Sequence, residues 1–144
     1  MVEKEQAPIE RDIALLKNTY FELSKVKRMA REWRYDLGEH ARVTLLQMSL
    51  CFDIGWKTTD KAYKKRCFET ASGYLFNFQH SLNQLNDVQV IDNDQKAVLD
   101  LLTDKIDEQL ASLSSSIVIS QRDGVSGNFP PAVDSLLKGH LTAL

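Results

Sequence analysis

Phe68, Leu75 and Leu82 stand seven residues apart, and Ala71, Phe78 and Leu85 form a second row with the same period. Interleaved heptad rows of this kind line one face of an α-helix and demand a partner helix to cover it. The spacing predicts a long helix over residues 61–86. A helix with such a seam cannot stand alone in water, so the remaining sequence has to supply its neighbours.

It supplies three. Ile9, Ile13, Leu16, Tyr20 and Leu23 recur at steps of four, three, four and three, and Ala30 continues the stripe, which predicts a first helix over 8–31 opened by Pro8. A second is expected over 37–57, where Val43, Leu45, Leu46, Met48, Leu50, Cys51, Phe52 and Ile54 leave almost no polar side. Such a segment is either the central helix or a contact between copies of the chain. Val98, Leu102, Ile106, Leu110, Leu113 and Ile117 mark a fourth helix over 93–117. Asp36 with Glu39, the run from Lys57 to Asp60, and the segment from Asp87 to Asp94 carry cap and turn residues between them. No strand pattern or internal repeat interrupts the series. The expected fold is all-α, an antiparallel up-down four-helix bundle over residues 1–119. Residues 120–144, with Gly124, Gly127, Pro130 and Pro131, read as a separate tail whose Val133, Leu136, Leu137 and Leu141 could dock on a partner or another subunit.

Charge is distributed unevenly. Lys25 to Arg66 holds eleven basic and five acidic residues, whereas Asp87 to Glu108 holds seven acids and two lysines, although the whole chain has a net charge of only -2. A dipolar chain can offer a basic surface to a polyanion while staying acidic overall. The apolar stretch from Val43 to Gly55 is interrupted by Thr44, Gln47, Ser49 and Asp53, and falls short of the roughly 20 residues a bilayer span requires. The charged N-terminus has no export-signal pattern, so a cytoplasmic location is expected. Cys51 and Cys67, without metal spacing, read as reduced and buried.

A catalytic constellation is hard to find. The glycines are isolated, so no phosphate loop is formed. His40, His80 and His140 fall one per region, and Ser114 to Ser116 lack a nucleophile-elbow setting. Asp100, Asp104, Asp107 and Glu108 share one side of the fourth helix, where a cation site is conceivable but a solvated face is the simpler reading. The expectation is a protein without catalytic residues, metal or cofactor. Basic residues are the remaining chemistry. Lys25, Lys27, Arg28, Arg31 and Arg34 gather near the end of helix one; Lys57, Lys61, Lys64, Lys65 and Arg66 surround the start of helix three. In an up-down bundle these clusters lie at opposite ends, so an elongated polyanion could touch both and a small anion could not.

Between the first two helices lies the stretch Arg31-Glu32-Trp33-Arg34-Tyr35-Asp36-Leu37-Gly38-Glu39-His40. Tyr35 and Leu37 suit the bundle end, Asp36 a cap, and Gly38 a close helix approach, all jobs of a corner; Trp33 suits an interface anchor. A basic turn, then Arg34-Tyr35-Asp36-Leu37-Gly38, then an apolar helix resembles the four-helix-bundle family of the accessory variability determinant of diversity-generating retroelements. The intervening-sequence proteins encoded within bacterial large-subunit ribosomal RNA genes belong to that same family. The similarity extends over residues 10–117 in helix order and length. It implies a homopentameric barrel and a non-catalytic accessory protein that binds a reverse transcriptase and its template RNA. The alternative within the family is a homo-oligomeric structural bundle with no nucleic-acid role. A metal enzyme built on the helix-four acids is a third, remote reading.

Overall fold

The structure is a computed structural model, and it describes residues 7–26 and 37–118. Four helices occupy this range: α1 (Pro8–Val26), α2 (Glu39–Lys57), α3 (Lys61–Asp87) and α4 (Asn93–Ser116). No strand occurs among the described residues. Cross-helix contacts fix the directions. His40 faces Ser81 between α2 and α3, Ser72 faces Asp107 between α3 and α4, and Gln109 reaches Asp12 between α4 and α1. Neighbours therefore run antiparallel, with α2 packed most broadly on α3 and α1 resting mainly on α4.

Both heptad rows of α3 are buried, from Phe68 and Ala71 through Leu75 and Phe78 to Leu82 and Leu85. Ile9, Ile13, Leu16 and Tyr20 close on them from α1, and Leu45, Met48 and Phe52 from α2. Burying a side chain of Leu or Phe size contributes about 1.5–3 kcal/mol, so the shared core dominates the fold's stability. Edge-to-face contact between Tyr20 and Phe78, with ring centroids 5.4 Å apart, ties α1 to the centre of α3. As the apolar pattern of α2 requires, its burial spreads over more than one face, from Thr44 and Gln47 to Ser49.

The helix starts follow local chemistry. Asp60 caps α3 by accepting from the Tyr63 amide at 2.9 Å, and Asp92 with Gln95 forms a reciprocal capping box at α4. At α2 the expected Asp36–Glu39 box lies outside the described residues at Asp36. Leu37 and Gly38 have helical backbone, Gly38 makes no side-chain cap hydrogen bond, and the Glu39 carboxylate accepts from Arg42. A carboxylate one turn from a guanidinium gains a charge-assisted fork there.

The apolar stripe of α4 also shifts at its start. Leu99 is buried, while Val98 is 52% exposed. Counting back 3.6 residues from Leu102 falls between the two, and packing selected Leu99. Helix one is described only to Val26. The expected continuation to residue 31 lies outside the described residues, as do Ala30 and the tail from Ser120 onward.

Candidate functional site: the basic end at the start of α3

The turn from α2 into α3 brings the second basic cluster together. Thr58 and Thr59 join the helices, and the Thr58 amide still donates to the Ile54 carbonyl. Lys57 and Lys61 are exposed, and Lys65 is half-buried. Lys61 and Lys65, four residues apart, share a face of α3, whereas Arg66 is turned about 100° from Lys65 and faces elsewhere. The five cations thus do not form one continuous patch.

Lys64 has a structural job. Its ammonium donates to the carbonyls of Trp56 and Thr58, each at 3.3 Å, and lies 5.7 Å above the Phe68 ring. A cation on the last carbonyls of α2 satisfies orphan acceptors and complements the helix dipole. Sequence spacing groups Lys64 with the exposed lysines because it cannot register a carbonyl on the preceding helix.

At the opposite end, Tyr20 Oη donates to the Gly38 carbonyl at 2.8 Å, which holds α1 against the start of α2. Burial, then the Glu39 charge, pushes the Tyr20 phenol well above its usual range. Leu37 packs against the core and Gly38 is buried, as a corner requires. Trp33, Tyr35 and Asp36, with Lys27, Arg28, Arg31 and Arg34, lie outside the described residues. Lys25 falls within α1, but its side chain lies outside them too.

The other candidates resolve into structural roles. His40 Nδ1 lies 2.9 Å from Ser81 Oγ, bridging α2 and α3, and His80 is exposed. Along α4, Asp100 pairs with Lys96 and Asp107 accepts from Ser72. No group of three or more His, Cys, Asp or Glu is placed to hold a metal ion among the described residues. Cys51 and Cys67 are free and buried. Burial, then the nearby Cys67, pushes the Cys51 thiol up to about 12. Burial pushes Cys67 up to about 11, against the Tyr63 hydroxyl and the positive charges of Arg66 and Lys64.

Sequence reasoning missed the polar interior of α2. Thr44 donates back to the His40 and Ala41 carbonyls, and Ser49 accepts from Lys17. Gln47 is 3% exposed, neither amide atom has a hydrogen-bond partner among the described residues, and nothing in the structure explains it. A glutamine inside an otherwise apolar run was the available signal. No described helix is long and apolar enough to cross a membrane. No protein-family profile, curated protein or solved structure matches the chain.

Proposed function

We propose that this chain is a non-catalytic accessory protein of a diversity-generating retroelement, binding its reverse transcriptase and template RNA to support mutagenic cDNA synthesis. The observation that carries the reading is the exposed basic end of the bundle, where Lys57 and Lys61 stand in solvent with Lys65 beside them and Arg66 on the adjoining face. The motif from Arg34 to Gly38 supports it through the family resemblance. Lysines on a rigid helix end contact phosphates without reading bases, so they supply affinity that falls with salt. Lys25, Lys27, Arg28, Arg31 and Arg34 would add contacts from the other end, with polymerase and RNA held by charge and shape. Lys64 is left out of the contact set because it closes the α2–α3 turn.

The test is binding of a structured RNA across a salt series, with the mass in solution recorded alongside. Joint replacement Lys57→Glu, Lys61→Glu and Lys65→Glu should weaken binding at every salt concentration. It should also flatten the salt dependence by about one unit of slope for each phosphate that the lysines no longer neutralise. Unchanged binding would sink the assignment. A reverse-transcriptase gene and a near-repeat pair beside this gene are the expected genomic setting.

A second reading, the homo-oligomeric structural bundle, draws on α2. Leu46 is 38% exposed, and Val43, Leu50 and Ile54 are only partly covered within one chain. An outward apolar row of this sort favours self-association, and a pentamer is the assembly the resemblance implies. A species near five times 16.4 kDa that ignores RNA even at low salt would favour this reading.

A further inference from the structure

Gly55 and Gly73 sit inside α2 and α3, where glycine is the least favourable residue after proline. Gly55 has an internal reason. A Cβ there would lie 2.7 Å from Cys67 Cβ, so the residue lets α2 approach α3. Gly73, in the middle of the 27-residue α3, has no such reason, because among the described residues a Cβ there would meet nothing within 4 Å. It opens onto a groove of about 330 Å³ between α3 and α4. Leu75 and Thr103 are the buried lining residues, and Phe76 stands beside it, 70% exposed.

One edge of the groove carries carboxylates. Asp107 lines it, with one carboxylate oxygen accepting from Ser72 at 2.6 Å, and Asp104 accepts from Gln79 at 3.5 Å. Lys96 neutralises Asp100, but among the described residues no base pairs with Asp104 or Asp107. A missing side chain, an exposed aromatic and the Asp107 carboxylate therefore converge on one opening, with Asp104 next to it across Gln79. Its volume is at the small end for ligand pockets and suits the anchor side chain of a polypeptide.

We propose that the α3–α4 groove docks a basic segment of a partner protein. One large apolar side chain of that segment enters over Gly73 beside Phe76, and its lysines or arginines reach Asp104 and Asp107. Charge complementarity selects the occupant: a carboxylate edge beside an opening walled by Leu75 and Phe76 repels nucleic acid and attracts a basic amphipathic helix laid along the groove. The proposal is independent of the polyanion reading, which uses the basic end of the same helix.

The probe is a fluorescent helical peptide of about 14 residues, four turns, with leucines on one face and lysines on the other. A control peptide carries glutamate for lysine. The lysine peptide should bind the full chain, and Gly73→Leu, which fills the groove, should weaken binding by about tenfold or more. Asp104→Lys with Asp107→Lys should do the same, while RNA binding by Gly73→Leu stays at its starting level. Since position 73 is exposed and leucine is the better helix former, the thermal transition should not fall; should that variant fail to fold, Phe76→Ser carries the same test. Equal binding to Gly73→Leu, or equal binding of the glutamate peptide, overturns the proposal. So does a Gly73→Leu chain that loses self-association instead, since a second copy would then be the occupant.

Discussion

α3 meets α2 along one side and α4 along the other, and the rims of the two seams are built differently. Toward α2 the backbones close in through Gly55, the rings of Phe52 and Phe68 stack with centroids 6.0 Å apart, and two buried thiols lie between the helices. Toward α4 the rim is polar: Ser72 holds Asp107, Gln79 stretches to Asp100 and Asp104, and the gap over Gly73 stays open. A glycine of α2 thus closes one seam, and a glycine of α3 leaves the other open. Apolar contact fills the rim of the first seam, and polar side chains line the rim of the second.

The largest way to break this comparison is alkali. Because the folded chain holds the Cys51 and Cys67 thiols protonated up to about 12 and about 11, whereas the unfolded chain releases these protons near 9, their contribution is fully present below 9. Above that, the unfolded state binds fewer protons than the native one, and stability falls until pH passes the folded values. Urea midpoints should drop between about pH 7 and about pH 10.5, and a chain with Cys51→Ala and Cys67→Ala should lose much of that dependence. An unchanged slope would remove the thiols from the account.

Next in size, Phe78→Ala should cost about 3–5 kcal/mol in denaturant unfolding, since the ring is fully buried between α1 and α3. A near-neutral result would misplace the core. The paired glycine substitutions sharpen the contrast directly. Gly55→Ala should destabilise by about 1–3 kcal/mol through overpacking against Cys67, whereas Gly73→Ala should stabilise by about 0.5–1 kcal/mol through helix propensity. Equal signs would dissolve the distinction between the seams. Smallest of all, Ser72→Ala should change stability by less than about 0.5 kcal/mol, because its bond to Asp107 is exposed to water.

Much of the fold is legible in the sequence. The heptad rows of α3 reveal that helix and its buried face because a 3.6-residue period is a local property of the chain. Cap residues locate the starts of α3 and α4 for the same reason. The stripe of α4 is ambiguous at Val98 and Leu99, where two adjacent apolar residues satisfy the period equally and only packing decides between them. The basic end is legible as composition but not as geometry. Periodicity places Lys61 and Lys65 together, yet gives no hint that Lys64 bends back to Trp56 and Thr58. The groove over Gly73 is invisible, because a glycine in sequence reads the same whether a neighbour presses on it or not.

By itself, the sequence determined four amphipathic helices, their order, and the separation of basic from acidic charge, since all three depend on spacing along the chain. Tertiary structure alone decided which lysine is engaged, which glycine is crowded, and where an acidic groove stays open. Those properties arise where helices meet, and the distances between residues far apart in the chain are set by packing.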